Sequence, residues 1–149
     1  MDKRQAEMIV PQEIYHPLYT DTEKFIILIT GGRGSGKSFN ASTFIERLTF
    51  EMTPVEKIVH QILYTRYTMV SAGMSIIPEM MEKIDLDGTT KYFKTTKTDI
   101  VNKMTKSRIM FRGIKTSSGN QTAKLKSIQG ITTFVCDEAE EWTSEDEFD

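Results

Sequence analysis

A chain of 149 residues, 38% hydrophobic and 27% charged, has the make-up of one soluble globular domain with enough apolar residues for a core. No apolar run approaches the roughly 18 residues of a membrane span, and Met1 to Gln12 holds no signal-peptide stretch, so a cytoplasmic protein with no membrane partner is expected. The net charge of −2 conceals a division: Asp137 to Asp149 carries eight acidic residues and no basic one, so the segment before it is basic.

Residues 1–24 are polar and irregular, with Pro11 and Pro17. The apolar run Phe25-Ile26-Ile27-Leu28-Ile29 predicts a first strand from Phe25 to Thr30. Directly behind it, Gly31-Gly32-Arg33-Gly34-Ser35-Gly36-Lys37-Ser38 fits G-x-x-x-x-G-K-[ST], the pattern of a phosphate-binding loop. Glycines clear Cβ atoms from an anion nest of backbone N–H groups at a helix N-terminus. Lys37 then supplies a positive charge, and the Ser38 hydroxyl a magnesium ligand. The helix that follows is predicted to about Met52, with Ala41, Phe44, Ile45 and Leu48 on one face and Pro54 closing it. A glycine-rich surface turn without a ligand is the plainer alternative.

A second strand is expected over Gln61 to Tyr67, then a helix over Met74 to Ile84 that tolerates Pro78 only in its first turn. Asp87-Gly88 is a turn signal. Two extended segments, Lys91 to Val101 and Arg108 to Ile114, suggest a hairpin before the polar loop Lys115 to Gln129. From Lys91 to Lys126 there are ten Lys and Arg against the single Asp99, which reads either as a phosphate-backbone footprint or as a solvated face.

Ile131 to Cys136 reads as a buried strand that delivers Asp137 and Glu138 at its C-terminal end. Adjacent carboxylates in such a place are costly without a function. In nucleotide hydrolases with a phosphate loop, the first holds magnesium and the second orients and deprotonates the attacking water. The alternative is a solvated acidic loop. Cys136, the single cysteine, is assigned to packing, and His16 and His60 suggest no metal site. Strands alternating with helices predict an α/β fold with a three-layer α/β/α arrangement, a mostly parallel sheet and nucleotide at the C-terminal strand ends. Ser144-Glu145-Asp146-Glu147 has the form of a helix capping box with only two residues behind it, so 1–149 is expected to be one ATPase domain cut shortly after the acidic motif; a short acidic tail is the other reading.

With both motifs placed, the chain resembles the ATPase domain of tailed-bacteriophage terminase large subunits, a P-loop NTPase of the RecA-like (ASCE) type. The likeness rests on the loop with Arg33 inside it, on Ser107-Arg108-Ile109-Met110-Phe111-Arg112-Gly113, and on Lys126-Ser127-Ile128-Gln129-Gly130 leading to Val135-Cys136-Asp137-Glu138-Ala139-Glu140. It implies ATP and Mg2+ as ligands. Lys37 and Ser38 then hold phosphates and magnesium, Asp137 magnesium, Glu138 the hydrolytic water, and Arg33 faces the γ-phosphate. Gln12 and Tyr15 become candidates for gripping adenine, and Arg66 matches an arginine of the family that an ion pair on a sheet edge explains equally well. The implied partners are double-stranded DNA, the portal protein, the small terminase subunit and further copies in a ring on the procapsid. No arginine lies between Gly113 and Cys136 to act across subunits, and the family's C-terminal nuclease domain is expected to lie outside these 149 residues. A superfamily 2 helicase and a nucleotide-binding switch module are the alternatives.

Overall fold

The computed structural model describes residues 8–21, 26–51, 59–68, 76–115 and 129–137. A 3-10 turn, Glu13–Tyr15, leads into α1, His16–Thr20; α2 spans Lys37–Leu48, β1 Gln61–Thr68 and α3 Ile77–Leu86. Strands β2 (Phe93–Thr95), β3 (Asp99–Asn102), β4 (Arg108–Lys115) and β5 (Thr133–Cys136) complete a five-stranded sheet of order β2-β3-β4-β1-β5. The fold is α/β. Its sheet is mixed, parallel across β4-β1-β5 and antiparallel across β2-β3-β4, which corrects the mostly parallel expectation. The reason is local: the β2-β3 and β3-β4 connections are too short for the crossover that parallel neighbours need.

Alternation puts Ile62 and Tyr64 of β1 on one face, with Ile109 and Phe111 beside them in register on β4. Ile45 of α2 and Met80 and Ile84 of α3 close over this face, together with Ile76 and Ile100. Ile62, Met80, Ile84, Ile100, Ile109 and Phe111 are fully buried, each stabilising the fold by roughly 1.5–3 kcal/mol relative to exposure. Among the described residues α2 and α3 give this face its helical layer.

Helix α3 follows the sequence logic closely. Pro78 sits in its first turn, Glu79 and Lys83 match the positive and negative ends of the helix dipole, and Gly88 leaves at φ 74° as the turn signal requires. Helix α2 departs from it. Ile45 is buried as predicted, with Phe44 and Leu48 packed against the core, but Asn40, Ser42, Thr43 and Glu46 are buried too. Asn40 Nδ2 and Thr43 Oγ1 donate one turn back to the carbonyls of Gly36 and Phe39 at 2.9 and 3.0 Å, and Thr89 Oγ1 donates to Glu46 Oε1 at 2.6 Å. The helix ends at Leu48, where Asn102 Nδ2 and Thr105 Oγ1 donate to the hydroxyl and carbonyl of Thr49.

Two strand expectations are corrected. Residues 26–30 form no strand, and Ile26, Ile27 and Leu28 are 80%, 47% and 84% exposed. None of the described strands pairs with this run, and an extended segment without a ladder partner has nothing to hold it as a strand. Likewise β5 is not a buried strand: among the described residues β1 flanks it on one side only, and Phe134 is 52% exposed. Phe25, Glu138 and the capping box at Ser144 lie outside the described residues. No helix among them is long and apolar enough to cross a membrane.

One polar junction joins three segments. Arg47 of α2 forks onto Asp87 just past α3, with Nε to Oδ2 at 3.1 Å and Nη2 to Oδ1 at 2.9 Å. Ile9 donates its N–H to Asp87 Oδ1 at 2.8 Å and accepts from Arg47 through its carbonyl. Glu46 lies beside this junction, fully buried, with no hydrogen-bond partner for Oε2 among the described residues. Burial, reinforced by the Asp87 carboxylate, pushes its carboxyl up to about 8. Glu46 is therefore protonated at neutral pH, and the folded state holds a proton that the unfolded chain releases. Its stabilisation is complete below the ordinary glutamate range and is lost as pH rises toward 8, at up to about 1.4 kcal/mol per pH unit. Asp87 shifts downward, so its stabilisation is complete above the ordinary aspartate range and is lost only as pH falls into acid. Glu46→Gln, which copies the protonated form, should flatten the stability profile between pH 5 and 8 in chemical denaturation.

Candidate functional site

Gly36 opens α2 at φ 79°, a left-handed conformation that side chains disfavour, and supplies no side-chain cap. The first-turn N–H groups of α2 therefore lack a capping side chain. Gly34 is also left-handed, at φ 77°. Lys37 folds back on its own loop, donating from Nζ to the carbonyls of Gly31 at 2.9 Å and Gly32 at 3.4 Å. A Cβ on Gly31 would stand 2.8 Å from Ser35 Oγ, so a side chain there would require the Ser35 hydroxyl to move. Arg33 and Ser38 are exposed.

The segment ahead of the loop is brought onto it. Tyr15 donates from its hydroxyl to the Ser35 carbonyl at 2.8 Å, and Tyr19 to the Asn40 carbonyl at 3.3 Å. A Cβ on Gly36 would meet Gln12 Oε1 at 3.5 Å, so Gln12 lies against the start of α2. Between them opens a cleft of about 520 Å³, lined by Ile9, Val10, Gln12, Gly36, Phe39, Asn40 and Leu86. It is mainly apolar, with two carboxamides and the start of a helix along its wall.

At the other end of the sheet register, Asp137 follows β5 and donates its N–H to the Thr65 carbonyl at 3.0 Å. This places its carboxylate beside Arg66 of β1, whose Nε donates to Oδ2 at 2.7 Å. Both side chains are largely buried, at 10% and 16% exposure. Tyr64, two residues earlier on the same face, has its phenol raised by burial and further by the negative charge of Asp137. Among the described residues no cluster of three His, Cys, Asp or Glu side chains is placed to hold a metal ion.

A family model described as phage terminase large subunit matches residues 23–149. The chain belongs to the phage terminase large subunit family. Comparison with individually curated proteins gives no match. The matched span covers the loop, both sheet edges and the acidic pair, whereas Gln12 and Tyr15 lie ahead of it. In this terminase chain the motif residues are brought together as two groups: Gln12 and Tyr15 with the 31–38 loop, and Asp137 with Arg66. The ion pair was open to sequence reasoning only as one of two explanations of Arg66. Its signal lay in opposite charges at the ends of neighbouring parallel strands, which requires the register to be known.

The basic stretch is less available than its composition suggests. Arg112 Nη1 donates to Asp99 Oδ1 at 2.8 Å and Arg108 approaches Oδ2 at 3.6 Å, so the single acid of the stretch is shared by its two arginines. Lys91, Lys94, Lys97, Lys103 and Lys106 are exposed. Lys124 and Lys126 lie outside the described residues.

Gly36→Ala isolates the backbone requirement, because the added Cβ meets only ordinary van der Waals contacts. Thermal denaturation should show a loss of roughly 1–2 kcal/mol from the left-handed strain alone. A change below about 0.3 kcal/mol would mean that the loop relaxes out of this conformation at no cost.

Proposed function

We propose that this chain is the ATP-hydrolysing motor domain of a phage DNA-packaging terminase, built as a P-loop NTPase of the RecA-like, three-layer type. The observation that carries the reading is the 31–38 loop. Within a G-x-x-x-x-G-K-S sequence, the left-handed Gly36 stands at the start of a helix without a side-chain cap, and the Lys37 amine curls over the loop carbonyls. Family membership supports it independently.

In this reading the first-turn N–H groups of α2 and the Lys37 amine bind the phosphates, which exchange for the Gly31 and Gly32 carbonyls that Lys37 now holds. Arg33, exposed on the loop, reaches the γ-phosphate. Gln12 and the cleft beside it take the adenine, with the carboxamide as both donor and acceptor. The Ser38 hydroxyl and the Asp137 carboxylate are hard oxygen donors of the kind Mg2+ prefers, and the ion supplies charge neutralisation on the phosphates when bound. Glu138, next in the chain after Asp137, orients the attacking water and takes its proton. The partners that follow are double-stranded DNA, the portal and small terminase subunit, and further copies in a ring at the procapsid of an infected cell.

Two substitutions test the division of roles. Lys37→Ala should abolish ATP binding or turnover in the intact protein, since a fixed charge in a preorganised site accounts for a large part of phosphoryl stabilisation. Glu138→Gln should retain Mg·ATP affinity in calorimetry while hydrolysis falls by about two orders of magnitude or more. Wild-type turnover in either variant would overturn the assignment.

A further inference from the structure

We infer that Arg66 is a positioning residue that makes the Asp137 carboxylate accept a divalent cation together with a nucleotide in preference to the cation alone. The inference rests on the reading of Asp137 as a magnesium ligand. It begins from register. Arg66 stands beside Gly113 on β4, a position without a side chain, and beside Asp137 past the end of β5. The guanidinium meets the carboxylate through Nε, at 2.7 Å from Oδ2, in a setting where both side chains are mostly shielded from water. This hydrogen bond fixes the carboxylate through Oδ2.

Two consequences follow from charge. A bare divalent cation approaching Asp137 meets a guanidinium only a few ångströms away in a medium that screens poorly, and their repulsion opposes binding. A cation carried on a triphosphate arrives as a net negative complex, and for that complex Arg66 is attractive, as Lys37 is. The same residue therefore penalises one form of the metal and favours the other. A residue whose role is only to knit β1 to β5 has no such opposite effects.

The test uses the intact protein and two probes, Mn2+ alone followed by electron paramagnetic resonance and Mg·ATP followed by calorimetry. Arg66→Gln keeps a hydrogen-bond donor near Asp137 while deleting the charge. It should bind free Mn2+ roughly tenfold more tightly than the wild type and Mg·ATP roughly tenfold more weakly. Arg66→Lys, which restores the charge, should return free Mn2+ binding to the weak wild-type level and recover most of the Mg·ATP affinity. Unchanged or weaker Mn2+ binding in folded Arg66→Gln overturns the inference. If Arg66→Gln fails to fold, Arg66→Lys decides alone: free Mn2+ binding there tighter than in the wild type overturns the inference. These results are read against a wild type that binds Mg·ATP; a wild type that binds none defeats the nucleotide reading itself.

Discussion

Parallel pairing of β1 with β5 is the constraint on which the acidic end of the site depends. The register Thr65 to Cys136 leaves no freedom in which side chains come next, since a slip of one residue would send Asp137 to the opposite face. With that register, Arg66 and Asp137 project side by side from the same face as Tyr64 and Val135, at the carboxyl ends of their strands. Two ionised groups in a largely buried position tolerate desolvation only as a hydrogen-bonded pair. Pairing and burial thus determine one another: the pair is acceptable because the strands are in register, and a register that separated the two charges would leave each buried alone.

A second constraint acts on the other side of the core. Asp87 accepts from Arg47 and from the Ile9 N–H, so one carboxylate fastens α2, the turn after α3 and the segment that precedes α1. That segment then runs across the start of α2, where Tyr15 meets Ser35 and Gln12 meets Gly36. The cleft exists because its two walls are anchored separately, Ile9 and Val10 through the Asp87 junction and Phe39 and Asn40 through α2 itself. Arg47 also lies 5.6 Å from the Tyr19 ring, and Tyr19 packs edge-on against Phe44. The anchoring is therefore partly apolar and does not depend on one salt bridge.

What the sequence made legible divides along physical lines. Local signals were reliable: the Asp87-Gly88 turn and Pro78 in the first turn of α3 both follow from backbone preferences of single residues. Hydrophobic runs were less so. Phe25 to Thr30 and Ile131 to Cys136 both read as strands by their apolar content, yet residues 26–30 pair with no described strand and the second yields the half-exposed strand Thr133–Cys136, because a strand is defined by its neighbours and not by its own residues. The polar face of α2 was invisible to apolar periodicity, since Asn40, Thr43 and Glu46 are buried by segments that periodicity does not see, Thr89 being 43 residues from Glu46. Arg66 fell between the two cases: its proximity to Asp137 spans 71 residues and follows only once register is known.

Two of the cations in the proposed chemistry, Lys37 and Arg66, are already coordinated by the protein. Lys37 is held by the carbonyls of its own loop and Arg66 by Asp137. Binding a triphosphate is on this account an exchange, in which phosphate oxygens replace acceptors that are in place beforehand, and the affinity measures the difference between two sets of charge-assisted hydrogen bonds. Such an arrangement keeps both side chains oriented without a ligand, so little rotamer entropy is lost when one arrives. It also moderates affinity, because each hydrogen bond to phosphate forms at the expense of one that the empty site already makes. For a site whose proposed work is to bind, hydrolyse and release in succession, preorganisation with modest net binding is the useful combination, since binding energy common to substrate and transition state lowers KM without raising kcat.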